Sequence, residues 1–589
     1  MKKTVLISAV SAILLHCTAW AQTTVTVDYD NYSTPAAMQL RRTLAEMQSS
    51  GMPYSIAMTV NGDPCTVMGF AWFTNPGTKN GEVQIVAKEN AVPADFDNPD
   101  MSFPAAVQQV NGLNYSIEKN KLSGIESNIK VDYLSHKAKA AGLTPATTYS
   151  YRVGSADGWS EIGTFTTASA DKNAGYSFIY ITDTQAQNDE MFNVSQKTVH
   201  AARKLVPEAA FILCNGDLVE TSGSNNSEWE YEQWFSTMQD IWLNTPLVVT
   251  MGNHDISGNR NFAYHFNNDN SYNENAEVPT DMDGTVFSFV RGDVLYLVMS
   301  YENWNKPGYL DSLGKWMRSQ VGAHKDVKWK IASFHKNMFT GSRSHQDDAD
   351  GKAVRAAMLP LFAELGINMA FQGHDHIYEV IGPVNNTTKT LASNGVEEVL
   401  TVGEPGAREN MTGREGGVFN TAAGTLYFLN NSAGKKKYEP RTEEEMIASY
   451  SKHEIENYWG LFSGKFGQTG EPTFSRVDVT PESFTVSTYT VDDNGNPTLF
   501  DSFKVINNPD GAGIADVAAE TTADIRWDAA GYIRISNIAP ESVDVYDIEG
   551  RNVCHTQSAI IPTDNYTIGL YIVKASAQNK TYTGKILIK

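Results

Sequence analysis

Cysteine is nearly missing from this chain, with 4 residues in 589, at positions 17, 65, 214 and 554. So few cysteines, so far apart, exclude a disulfide framework and leave no cysteine cluster to hold zinc. Those at 65, 214 and 554 read as buried free thiols. Histidine is scarce as well, at 12. Positive charge is in deficit: 46 Lys and Arg stand against 68 Asp and Glu, a formal net charge of −22. That excludes a general nucleic-acid surface, and no duplex binding is expected. Long apolar runs are missing beyond the N-terminus. There, "MKKTVLISAVSAILLHCTAWAQ" has Lys2 and Lys3, an apolar core over 5–15 and Ala19-Trp20-Ala21, the pattern of an export signal over 1–21. The core is too short for a comfortable membrane span, so export without a transmembrane segment is expected. What the composition does provide, 41% hydrophobic and 19% charged residues, is that of a globular chain long enough for several domains.

Residues 22–51 form an N-terminal extension in which "PAAMQLRRTLAEMQSSG" reads as a short amphipathic helix. From 52 to 169 the chain reads as all-β. Two alternating runs flank Asn61-Gly62, a hairpin signal. "GLTPATTYSYRVGSADGWSEIGTFTT" resembles the last strands of a fibronectin type III sandwich. Over 174–507 strands alternate with helical stretches, predicting an α/β layer structure. The stretch 435–468, rich in charge and glycine, reads as an insertion or long loop. "SEWEYEQWFSTMQDIW" reads as an amphipathic helix with Trp229, Trp234 and Trp242 in or near the core. Residues 508–520 are a linker by composition, and 521–589 are again β-rich.

Within the α/β region, "YSFIYITD", "AAFILCNGD", "PLVVTMGNHD", "DVLYLVMS", "WKIASFHK" and "INMAFQGHDH" are short apolar runs, and all but one lead into Asp, Asn or His. Ligands of α/β sheets gather beyond the carboxyl ends of strands. Collected there are Asp183, Asp217, Asn253 with His254, His335, His374 and His376. Carboxylate, amide and imidazole together suit two adjacent metal ions. A shared carboxylate can bridge ions about 3.5–4 Å apart that clamp the oxygens of a phosphoryl group. Any one of these blocks alone could be a turn beside a core histidine, but the ordered set is specific.

The order D…GD…GNHD…H…GHDH resembles that of the calcineurin-like metallophosphoesterases. With the β module in front, the chain over about 52–507 is similar to their purple acid phosphatase branch. The fold so implied is a β-sandwich flanked by helices, behind an N-terminal all-β fibronectin III-like sandwich. The resemblance implies that Asp183, Asp217 and His376 hold a first metal ion, that Asp217 bridges, and that Asn253, His335 and His374 complete the second. His254 would contact the substrate or protonate its leaving group, and a metal-activated hydroxide would attack phosphorus in line. Iron, zinc or manganese are the ions implied.

Two positions depart from the family pattern. The branch has a metal-binding tyrosine three residues after the bridging Asp, where this chain has Glu220, so no Fe(III)–tyrosinate chromophore is expected. Other branches have a histidine where Gln185 stands. Both residues stay open between metal ligation, ordinary hydrogen bonding and, for Glu220, solvation. On a segment that could cover the site, His345 could touch the phosphate and Arg343 could supply positive charge for substrate binding. Tyr378 matches a tyrosine after GHxH and could line the pocket. The C-terminal domain, through "VDVYDIEGRNV" and "GLYIVKASAQNKTYTGKILIK", resembles the sorting domains of proteins exported by the type IX machinery. The expectation is thus a secreted or surface-held binuclear phosphohydrolase acting on a small phosphate ester. A monoester is favoured. The alternatives are a diesterase acting on nucleotides or lipid headgroups, or a catalytically weak surface binding protein on the same fold.

Overall fold

The strand Tyr176–Ile181 is apolar from Phe178 to Ile181 because both of its faces are covered there. Ile179 and Ile181 enter one core, and Phe178 and Tyr180 enter another, as strand alternation requires. The computed structural model of the chain describes residues 51–589, except 79, 116–129, 222–227, 257–259, 279, 281, 346–347, 387–389, 392–395, 398–399, 403–416, 449–460, 509–523, 528–530, 537, 548–550, 578–579 and 589. The export signal and the helix expected near 35–51 lie outside the described residues.

Tyr176–Ile181 pairs in parallel with Ile212–Cys214, and that strand pairs with Leu247–Val249. These belong to an eleven-stranded sheet. A second sheet of eight strands carries Trp329–Ser333, Met369–Phe371 and Thr425–Asn430 side by side in parallel. The two sheets face each other across a core that includes Phe178, Phe211, Tyr296, Phe371, Phe428 and Phe503. Helices Asp189–Leu205 and Glu228–Trp242 cover the outer face of the first sheet, and Trp229, Trp234 and Trp242 are buried there. Helices Tyr309–Ala323 and Ala349–Leu365 cover the second sheet through Leu313, Met317, Met358 and Phe362. Asn188 caps the first helix by accepting the Met191 amide at 3.0 Å.

The first sheet does not stop at the edge of this layered domain. Strand Tyr54–Thr59 joins it in parallel beside Leu247–Val249, at Thr59 opposite Leu247. The Gln239 side chain fastens the junction, bonding the Ile56 amide at 2.9 Å and the Ile56 carbonyl at 2.8 Å. Tyr54–Thr59 also forms the expected hairpin with Val67–Thr74, although residues 60–66 make its loop, longer than a two-residue turn. A small five-stranded sheet completes the N-terminal β domain around Phe70, Trp72, Ile85, Tyr151 and Phe165.

The stretch 435–468 is more than a loop. It contains the short helix Glu443–Ala448 and the strand Phe462–Gly467, which pairs with Tyr378–Asn386. Phe462 and Phe466 anchor it by burying their rings in the core under the second sheet.

Residues 508–589 form a separate compact unit. It contains a three-stranded and a four-stranded sheet, with Ile533, Val543, Val545, Val573 and Ile586 in its core. No helix among the described residues is long and apolar enough to cross a membrane.

Candidate metal centre

Asp183, Asp217, Asn253, His335, His374 and His376 lie just beyond the carboxyl ends of five strands of the two facing sheets. Four of these residues adopt positive φ: Asp183 at 54°, Asp217 at 52°, His374 at 78° and His376 at 31°. Such backbone is unfavourable for residues with a Cβ and persists where the surroundings impose it, often at functional sites. The glycines before the polar residues leave space for the turns. A Cβ on Gly252 would come within 2.4 Å of the Asp217 amide nitrogen, and one on Gly373 within 2.8 Å of the Asn215 carbonyl oxygen.

The side chains converge. His335 Nε2 lies 3.2 Å from Asp217 Oδ2, 3.1 Å from Asn253 Oδ1 and 4.0 Å from Asp183 Oδ1. His376 Nε2 lies 3.2 Å from Asp183 Oδ1. Asp217, His335 and His374 each offer a ligand atom within 4.8 Å of the others. Backbone carbonyls set the imidazole tautomers. His335 Nδ1 donates to Asn215 at 2.8 Å and His376 Nδ1 to Lys436 at 3.2 Å, so both Nε2 atoms face the site. Asp183 accepts the His374 amide with both oxygens, at 3.0 and 3.1 Å, and the Thr182 hydroxyl at 2.7 Å.

His254 belongs to the same cluster. Its amide donates to Asp217 Oδ1 at 2.8 Å, its Nδ1 donates to the Glu220 carbonyl, and its Nε2 lies 3.9 Å from Asp217 Oδ2. Unlike the buried His335 and His376, its side chain is 20% exposed. His345 also reaches the site, its ring 3.9 Å from that of His374 and its Nδ1 2.8 Å from Asp348 Oδ2. Arg343 does not join the cluster. Its guanidinium is half-exposed and paired with Glu445 at 2.8 Å. Tyr378 does not line the pocket either. It is buried between the sheets, and its hydroxyl donates to Asp501 at 2.8 Å.

Asp255 escaped the sequence reading although it ends the GNHD block. Fully buried, it accepts the Leu218 amide at 3.0 Å and the Gly252 amide at 2.9 Å, tying the Asp217 and Asn253 turns together. Lys436 and Tyr438 had no signal at all. Lys436 supplies the carbonyl behind His376, and the Tyr438 ring stacks on His376 at 4.3 Å and 15°.

The electrostatics call for a cation. Burial pushes the Asp217 carboxyl up, but His335 and His254 beside it pull harder and hold it well below the usual carboxylate range. Burial would lower His335, yet the adjacent Asp217 outweighs it and pulls the imidazole up to about 10. Burial, reinforced by His345 and His335, pushes His374 well below its ordinary value. These shifts favour a proton on His335 beside Asp217, where a metal ion would satisfy the same atoms. His376 Nε2, buried and without a hydrogen-bond partner, is another donor that a metal would complete. The donor set of carboxylate, amide oxygen and imidazole fits divalent transition metals.

Residues 53–167 match the purple acid phosphatase N-terminal domain, residues 176–378 the calcineurin-like phosphoesterase, and residues 524–589 the secretion system C-terminal sorting domain. The chain therefore carries a calcineurin-like metallophosphoesterase domain behind a purple acid phosphatase N-terminal domain. Its sorting domain marks it for type IX export, to be secreted or held at the surface.

Among its relatives, purple acid phosphatase 18 of Arabidopsis thaliana is 25% identical over 253 residues, 40% of this chain and 55% of that protein. Acid phosphatase type 7 of Danio rerio is 24% identical over 273 residues, 42% of this chain and 58% of that protein. The chain thus spans little more than half the length of these relatives. The structure of purple acid phosphatase PPD1 from yellow lupin (Lupinus luteus) seeds shares the fold, with a TM-score of 0.54 at 12% identity, over 78% of this chain and 75% of that one.

Proposed function

We propose that this protein is a secreted binuclear metal-dependent phosphomonoesterase. The observation that carries the reading is the convergence of His335 Nε2 on Asp217, Asn253 and Asp183 at 3.2, 3.1 and 4.0 Å, with His376 Nε2 on Asp183. The names of its relatives, acid phosphatases, support the monoester.

In this reading Asp183, Asp217 and His376 would hold one ion, and Asp217, Asn253, His335 and His374 would hold the other. When bound, such ions supply Lewis acidity toward a phosphoryl oxygen and a nucleophile drawn from water. The chain's own residues do the rest. Asn215 and Lys436 keep the His335 and His376 rings turned inward through their carbonyls. His254 keeps its Nδ1 proton on the Glu220 carbonyl and presents Nε2 to the substrate. As the ester P–O bond breaks, His254 in its imidazolium form passes the Nε2 proton to the departing oxygen, the water-derived oxygen remains on phosphate, and the proton lost by that water restores the imidazolium.

Chelation and metal add-back, with matched chromogenic phosphate monoester and diester substrates, test the reading. Metal-restored hydrolysis that favours the monoester is expected. A preference for the diester overturns the monoester assignment, and metal-loaded protein inert on both overturns the enzymatic reading.

A further inference from the structure

Three residues on the turns that carry the candidate ligands have buried side-chain atoms with no hydrogen-bond partner: His376 Nε2, Glu220 Oε2, and both Oε1 and Nε2 of Gln185. Gln185 is only 1% exposed, and leaving an amide unmatched at that burial is costly. The residues are close in the chain to the ligands already described, two positions after Asp183 and three after Asp217.

One short strap of chain holds all three together. From Ser432 and Gly434 it donates to the Asp183 carbonyl at 2.8 and 3.1 Å, and from Ala433 to the Thr182 carbonyl at 2.9 Å. A Cβ on Gly434 would stand 3.4 Å from the Gln185 carbonyl oxygen. Two residues on, the Lys436 carbonyl accepts from His376 Nδ1 while its ammonium pairs with Glu220 Oε1. Glu220 therefore presents one oxygen to a lysine and keeps the other buried and unmatched.

We propose that Glu220 Oε2 and Gln185 Oε1 complete the ligands of the metal ion held by Asp183, Asp217 and His376, with Lys436 offsetting the charge of Glu220 so that this ion is divalent. The inference rests on the metal-centre reading above. The Glu220 carboxylate is already paired with the Lys436 ammonium, and the added donor from Gln185 is neutral. A set so rich in carboxylate and carbonyl oxygen suits manganese-like ions.

The test is calorimetric titration of the metal-stripped full chain with Mn²⁺, with bound metal counted by elemental analysis and the spin state read by electron paramagnetic resonance. Wild type is expected to take up two ions per chain and show a coupled pair. Glu220→Gln and Gln185→Ala should each weaken one of the two sites by about tenfold or more and turn the coupled spectrum toward that of an isolated ion. Gln185→Glu, which adds a charged donor, should tighten that site, a gain that misfolding cannot produce. If all three variants titrate like wild type, this inference is overturned and the metal-centre reading stands. If wild type binds no Mn²⁺, the metal-centre reading falls with it.

Discussion

His254 donates its Nδ1 proton to the carbonyl of Glu220 and thereby turns Nε2 to within 3.9 Å of Asp217 Oδ2. The side chain of Glu220 pairs with Lys436, whose carbonyl orients His376. One residue thus joins the partly exposed His254 to the buried His376.

If His254 delivers the proton, His254→Ala should lower kcat by about 10²–10⁴-fold while two metal ions stay bound. The loss should be larger for an alkyl phosphate, whose alkoxide needs the proton, than for a nitrophenyl phosphate, whose leaving group does not. Equal losses on both substrates would assign His254 to binding instead.

Gly373→Ala should damage the site without replacing a ligand. Its Cβ would stand 2.7 Å from His335 Nδ1 and 2.8 Å from the Asn215 carbonyl oxygen, so both must shift. A stability loss of about 1–3 kcal/mol and weakened metal uptake are expected, read by denaturant titration and by metal content. Wild-type values for both would show that the turn has slack.

Metal binding should release protons. His335 is pulled up to about 10 by Asp217, so near neutral pH it holds a proton that an entering ion must displace. Apparent affinity should therefore rise as pH climbs toward that value. Calorimetry in buffers of different ionisation enthalpy measures the release. No proton released per chain would contradict the placing of His335 among the ligands.

The strand-end residues were legible because each follows a short apolar run, and every apolar run of this kind must end where its sheet does. Asp183, Asp217, Asn253 and the pair His374 and His376 stand at such ends with glycine beside most of them. Tyr378 misled for a related reason. It follows GHDH closely, but it already opens the strand Tyr378–Asn386, whose alternation turns its ring into the core toward Asp501. Lys436 and Tyr438 sit in a polar stretch without periodicity and reach His376 through a backbone carbonyl and a ring face. The parallel junction of Thr59 with Leu247 joins strands far apart in sequence and leaves no local pattern.

Acid should loosen the N-terminal β domain through His136. Its ring is buried, stacked on Trp72 at 5.1 Å and bonded to Thr74 Oγ1 at 2.7 Å, and burial pushes it down to about 4. The unfolded chain takes up this proton near about 6.5, whereas the folded one resists until lower pH. The stability contribution is therefore complete above that value and drains as pH falls through the window, by about 3 kcal/mol in all. Urea midpoints followed by tryptophan fluorescence should fall from pH 7 to 4.5 in wild type and fall less in His136→Phe. Equal falls would remove His136 as the cause.

The most direct test of the metal centre is anomalous diffraction from crystals loaded with Mn²⁺. The account expects two peaks about 3.5–4 Å apart, with Asp217 touching both, Asp183 and His376 on one, and Asn253, His335 and His374 on the other. His345, Asp348 and His374 also bring ligand atoms within 4.8 Å of one another. A single peak on that trio, with none beside Asp183 and Asp217, would contradict the account.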